Sequence, residues 1–218
     1  MDNPIIAILG GTGKEGIGLA LRLANAGYKI VIGSRQVEKA RKTAEEINSR
    51  LAINSVIGLE NAEAVMEADI CVLTVVQSAH QQAIQSMKDV LQGKILVDAT
   101  ARVDFQNPHP PDPPSAAQQA QEFLGPAVRV VAAFQNVPAK TLTKSIDQPI
   151  DADVLVCSDD LPAAEQIIQL ANNAGLRGYY AGFLANANVV EGLTSILISI
   201  NKHYGIKDAR IMVSGVLN

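Results

Sequence analysis

The chain has no tryptophan, two cysteines and three histidines, and only 18% of its 218 residues are charged. Two cysteines cannot make the disulfide framework of a small secreted fold or a four-thiolate metal site. Both sit inside apolar runs, Asp69-Ile-Cys-Val-Leu73 and Val154-Leu-Val-Cys-Ser158, where a buried, reduced thiol is expected. His80, His109 and His203 show no metal-ligand spacing and are expected at the surface or at helix caps. No Gly-x-Ser-x-Gly elbow is present, so neither metal-assisted nor nucleophilic catalysis is expected. Long apolar runs are also missing, which argues against a membrane span. The start, Met1-Asp-Asn-Pro4, carries no basic n-region or cleavage signal, and a cytoplasmic location is expected. A net charge of −4 gives no general attraction for nucleic acid.

What is present is apolar sequence, 48% of the chain, enough for one or two packed lobes. Continuous apolar strands alternate with amphipathic helices. Strands are predicted at Ile5–Leu9, Lys29–Gly33, Ser55–Leu59, Ile70–Val75, Ile95–Asp98 and Val128–Ala132, with helices at Lys14–Ala26, Val37–Arg50, Ala62–Ala68 and Ala79–Leu91. That order predicts an α/β fold, a Rossmann-type doubly wound parallel sheet with right-handed crossovers. Between Asn107 and Pro114 five prolines exclude a regular element, and a connecting loop is expected rather than a lid. After Pro138 a second set follows: strand Asp153–Cys157, helix Leu161–Ala174, strand Arg177–Ala181 and a long helix Ala187–Tyr204. The expected division is a dinucleotide-binding domain over residues 1–138 and a small C-terminal α/β domain over 139–218. Val189, Leu193, Ile196, Leu197 and Ile200 give the last helix an apolar face that the first domain or another subunit should cover.

The strongest motif is Gly10-Gly-Thr-Gly-Lys-Glu-Gly16, in which Gly11, Gly13 and Gly16 satisfy G-x-G-x-x-G between a strand and a helix. Such glycines allow a tight turn, approach of backbone amides to a pyrophosphate, and close helix–strand packing. The helix start then favours the anion. Gly11, Thr12, Gly13, Lys14, Glu15 and Gly16 are therefore candidate cofactor contacts. At the end of the second strand an NAD site would place a carboxylate, but this chain reads Gly33-Ser-Arg35, with Lys39 one turn later. A hydroxyl, a guanidinium and an ammonium suit a phosphate dianion, so Ser34, Arg35 and Lys39 point to NADP(H). Val75, Val76 and Ala99, at later strand ends, should flank the nicotinamide. Asp98 could lie beside them or simply cap the following turn. Gln135, Asn136, Val137, Pro138 and Ala139 could floor a second pocket, although a junction turn would also explain Asn136 and Pro138.

Ile8 to Gly13, Gly16, Leu19 to Ala24, Ile32 to Arg35 and Lys39-Ala40 together resemble the NADPH-dependent F420 reductases, also called F420H2:NADP+ oxidoreductases. The likeness continues through Asp69 to Thr74, Val130 to Ala139, and Gly182, Leu184, Asn186, Glu191, Leu193 and Thr194, and so spans nearly the whole chain. It implies a soluble oxidoreductase exchanging hydride between NADP(H) and the deazaflavin coenzyme F420 in a cleft between the two domains, and a homodimer. Thr12, Ser34, Arg35 and Lys39 would grip the 2′-phosphate, and Gln135 to Ala139 would lie beside the deazaflavin. Hydride exchange between two preassembled rings needs aligned contact and exclusion of water, so no catalytic acid or base is named. The alternatives are an NADPH-dependent reductase of a flavin or ferric complex, and an NADP(H) sensor without turnover.

Overall fold

The computed structural model describes residues 3–216. Six short strands, β1 (Ile6–Leu9), β2 (Ile30–Ser34), β3 (Val56–Glu60), β4 (Ile70–Leu73), β5 (Ile95–Asp98) and β6 (Arg129–Ala132), form one parallel sheet in the order β3-β2-β1-β4-β5-β6. β1 and β4, apolar throughout, and β5, apolar up to Asp98, are buried at every position, as expected of strands covered on both faces. Five helices connect them: α1 (Lys14–Asn25), α2 (Val37–Leu51), α3 (Asn61–Glu67), α4 (Gln77–Met87) and α5 (Ala116–Leu124). The strand order reverses between β1 and β4, which places a crevice beyond their carboxyl ends.

Helix α5 is not among the sequence expectations, because the prolines before it mask its start. A capping box fixes that start: Ser115 Oγ accepts from Gln118 N at 3.1 Å and Gln118 Oε1 accepts from Ser115 N at 3.0 Å. After β6 come the short α6 (Ala139–Leu142), then β7 (Asp153–Val156), α7 (Leu161–Asn173), β8 (Arg177–Tyr180) and α8 (Ala187–Tyr204). β7 and β8 pair in parallel, and Cys157 joins β7 to the edge of the large sheet through two backbone hydrogen bonds with Ala132, at 2.8 and 3.0 Å. One apolar cluster runs from Ile6, Leu19 and Leu23 to Val154, Ile167 and Leu170.

Arg22, in the last turn of α1, is 3% exposed and contacts no carboxylate among the described residues. Its guanidinium instead donates to the carbonyls of Leu142 (3.0 Å), Lys144 (2.8 Å), Ser145 (3.3 Å), Ile146 (3.4 Å), Gln148 (2.9 Å) and Ala174 (3.4 Å). These carbonyls terminate α6 and α7 and line the loop between α6 and β7, where partial negative charge collects at helix ends. Both cysteines are buried, and burial pushes Cys71 up to about 12 and Cys157 up to about 11.

Removing the Arg22 guanidinium strands buried acceptors on three segments. Arg22→Met should therefore lower the unfolding free energy by about 3–5 kcal/mol in urea titrations, and Arg22→Lys should recover only part of it, since an ammonium lacks the planar fork. A loss below about 1 kcal/mol would contradict this role for Arg22.

Candidate functional site

At the carboxyl end of the sheet lies a cavity of about 680 Å³. The glycine-rich turn forms one end. Gly10 takes a left-handed φ of +68° to turn the chain out of β1. Gly11 sits so close to the strand that a Cβ would lie 2.5 Å from the Ile8 carbonyl oxygen, and a Cβ on Gly16 would lie 2.6 Å from Gly11 Cα. A Cβ on Gly13 would meet only the Gly10 carbonyl oxygen, at 3.7 Å, so this is the face left open to a ligand. No side chain caps α1, and the amides of Lys14, Glu15 and Gly16 have no hydrogen-bond partner among the described residues. Open amides at a helix start above an open glycine fit a pyrophosphate.

Six of the candidate cofactor contacts do not line this cavity: Gly11, Thr12 and Gly16 in the glycine-rich turn, and Ser34, Arg35 and Lys39 between the end of β2 and the first turn of α2. Ser34 is buried and its hydroxyl accepts from Gln36 N at 3.1 Å. Arg35 and Lys39 are exposed and join no ion pair among the described residues, although Glu38 and Glu46 pair with Arg41 and Lys42 close by. Two unpaired cations at a helix start fit a phosphate dianion, which relieves their repulsion with the helix dipole.

The structure brings Gly13, Lys14, Glu15, Val75, Val76 and Ala99 to the cavity wall together with Gln135, Asn136, Val137, Pro138 and Ala139. Phe134 holds the second group in place. It is buried, has a φ of +74°, and accepts from Val137 N at 2.9 Å through its carbonyl, a strained turn for a bulky residue. Asn136 Nδ2 donates to the Asp153 carbonyl at 2.6 Å, so the residue also has the junction role that its sequence position allows. Gln135 Nε2 donates to the Asp98 carbonyl at 2.9 Å. A carbonyl only accepts, so Gln135 Oε1 must be the other end of the amide, and it is buried without a partner. An orphaned acceptor in the wall calls for a ligand donor.

Asp98 itself does not line the cavity. Its Oδ1 accepts from Thr100 N at 3.0 Å, the turn-capping role, and its Oδ2 lies 2.6 Å from His80 Nε2. His80 is thus no surface or cap residue: it is 5% exposed and paired with a carboxylate that is fully buried. Burial alone would push His80 down, but the hydrogen bond to Asp98 and its charge outweigh burial and raise it. Glu15, half-buried at the cavity wall, is pushed up to about 8, first by burial and then by the charge of Asp98.

The remaining wall comes from residues that sequence reasoning did not single out as contacts: Val103, Phe105, Thr194, Leu197, Asn201 and Ala209. The segment after Asp98 is sewn onto α8. Arg102 Nε pairs with buried Glu191 at 2.8 Å, and Ser195 Oγ donates to the His109 carbonyl at 2.7 Å, inside the proline-rich stretch. No local pattern marks a contact 89 residues apart in sequence.

Comparison with known proteins bears on this geometry. A family model described as NADP oxidoreductase, coenzyme F420-dependent, matches residues 5–102. The F420-dependent NADP reductase of Methanothermobacter marburgensis is 40% identical over 97% of this chain and 98% of its own length. That of Methanocaldococcus jannaschii is 40% identical over the same shares. The chain belongs to the coenzyme F420-dependent NADP oxidoreductase family. A solved structure from Arthrobacter sp. FB24, at 24% identity, superposes with a TM-score of 0.81 over 98% of this chain and 100% of the other, which extends the Rossmann-type family fold to the full length. Metalloreductase STEAP3 of Rattus norvegicus is 31% identical over 88% of this chain but shares only 36% of its own length.

The raised Glu15 titration has a stability consequence. Between its ordinary value of 4.5 and about 8 the folded protein holds a proton that the unfolded chain has released, so stability falls as pH rises through that window. Glu15→Gln lacks this loss. Its thermal midpoint relative to the natural protein should be constant below pH 4.5, rise in the variant's favour up to about pH 8, and level off above. A difference independent of pH would contradict the burial of this carboxyl.

Proposed function

We infer that this chain is an NADP-dependent oxidoreductase that exchanges a hydride with coenzyme F420. The observation that carries the inference is one cavity lined both by the open helix start after the glycine-rich turn and by the largely apolar residues of a second wall. When bound, the nicotinamide and the deazaflavin supply the redox chemistry. The chain positions them.

The amides of Lys14, Glu15 and Gly16 hold the pyrophosphate, and Thr12, Ser34, Arg35 and Lys39 take the 2′-phosphate. Val75, Val76 and Ala99 pack against the nicotinamide, and Gln135 to Ala139 against the deazaflavin. Gln135 Oε1 accepts one hydrogen bond from a ligand, and Val103, Phe105 and Leu197 keep water out. Water exclusion and alignment lower the barrier without a covalent intermediate.

We extend the proposal to the division of the chain at residue 138: residues 1–138 hold the dinucleotide, and 139–218 close the cleft over the second ring. Val189 and Ile196, two turns apart on α8, are 67% and 50% exposed, which supports burial of that face in a homodimer. No helix among the described residues is long and apolar enough to cross a membrane, and we place the enzyme in the cytoplasm. Reduction of a flavin or ferric complex is less well supported, since the metalloreductase match covers a minor part of that protein. A sensor without turnover does not explain a second ring site.

Purified protein given reduced F420 should reduce NADP+ and leave NAD+ nearly untouched. Arg35→Ala should raise the KM for NADP+ by about ten- to a hundredfold, the worth of a charge-assisted phosphate contact, and change that for NAD+ by less than about threefold. Equal losses for both dinucleotides would remove the 2′-phosphate role from Arg35. Tight NADPH binding without F420 turnover would move the assignment to another acceptor.

A further inference from the structure

Hydride transfer by itself leaves the reaction one proton short. NADPH gives up two electrons with a hydrogen nucleus, and the balanced exchange is NADPH + F420 + H+ giving NADP+ + F420H2. The proton must reach a ring nitrogen of the acceptor once the two stacked rings fill the cavity, where a protein group held at the wall has an advantage over solvent.

Among the described residues, the ionisable side chains lining the cavity are Lys14 and Glu15. Lys14 is exposed on the first turn of α1, where an ammonium faces phosphate. Asp98 cannot serve, because both carboxylate oxygens are engaged, by Thr100 N and by His80, and it is fully buried behind the wall. That leaves Glu15.

We propose that Glu15 supplies this proton during F420 reduction and takes it back in the reverse direction, with Asp98 and His80 as positioning residues behind it. In reduction an O–H bond at the Glu15 carboxyl breaks as an N–H bond forms on the acceptor, and water reprotonates the carboxylate between turnovers. The step rests on the reductase activity inferred above.

The surroundings suit a carboxyl that stays protonated near neutral pH. The charge acting on it is that of Asp98 at the end of β5, which His80 from α4 clasps at 2.6 Å, and Lys14, next to it in the chain, lines the same cavity. Beyond them the charges of Glu191 and Arg102 act on His80 from α8 and the segment after β5. Burial and the Asp98 charge hold Glu15 up at about 8, close to the pH at which a group can both give and accept a proton. The Asp98 carboxylate is kept from turning toward the cavity by its two hydrogen bonds, and its backbone by Gln135 Nε2.

The test combines a titration with kinetics. Protein labelled with 13C at glutamate side-chain carboxyls is titrated by NMR, with the Glu15 signal identified by its loss in Glu15→Gln. The expected midpoint is about 8, and Asp98→Asn should lower it. The alkaline limb of the kcat/KM profile, which reports the free enzyme, should fall at the same pH and move with Asp98→Asn by the same amount, a response that a purely structural role would not give. Glu15→Gln should lose about a hundredfold in kcat at pH 7 while still binding NADPH, as followed by nicotinamide fluorescence. A Glu15 midpoint near 4.5, or full turnover by Glu15→Gln at pH 7, overturns the proposal while leaving the reductase activity standing. If Glu15→Gln does not fold, the signal is assigned instead by its shift in Asp98→Asn, and a kcat/KM limb that ignores that variant is equally decisive. Failure of the natural protein to turn over F420 would strike the activity itself.

Discussion

The buried guanidinium of Arg22 is the contact on which the arrangement of this molecule depends. A cation that is 3% exposed and meets no carboxylate among the described residues is stable only because six carbonyls converge on it. Those carbonyls belong to the end of α6, the loop after it and the end of α7, so the charge placed by α1 fixes the chain beyond Pro138 against the dinucleotide half. The same helix α1 begins at the glycine-rich turn. One helix therefore begins at the glycine-rich turn of the cavity wall and, near its end, holds the chain beyond Pro138 in place.

Asp98 organises the cavity floor in a comparable way. Its two carboxylate oxygens and its carbonyl reach His80 on α4, Thr100 in the next turn and Gln135 after β6. A fully buried carboxylate is costly unless paired and hydrogen-bonded, and here each partner that satisfies it is itself a part of the site or adjoins one. The charge then acts on Glu15 at the cavity wall.

Much of the framework was legible in the sequence because it is local. Continuous apolar runs marked β1, β4 and β5, the helix α8 spans the residues its periodicity predicts, and the glycine-rich turn announced its neighbours on both sides. Arg35 and Lys39 were readable as cations where a carboxylate would sit in an NAD site, and they are exposed and join no ion pair among the described residues. What stayed hidden is non-local or conformational. A single histidine on a helix says nothing of an aspartate on a later strand, and the left-handed backbone of Phe134 has no sequence signature. Glu191 looks like an ordinary helix charge until Arg102 is brought to it. The apolar face of α8 was legible, yet its sequence did not separate buried Val190 and Leu197 from exposed Val189 and Ile196.

If both rings meet in one cavity, hydride passes directly from one to the other. Isotope transfer tests it most closely: NADPH carrying deuterium at one or the other face of nicotinamide C4 is mixed with F420 and the protein in ordinary water, and the F420H2 formed is analysed by mass spectrometry and NMR. Direct contact in a fixed orientation predicts full transfer of the label from one face, none from the other, and no loss to solvent. Label lost to water, or drawn equally from both faces, would contradict a shared cavity that aligns the two rings.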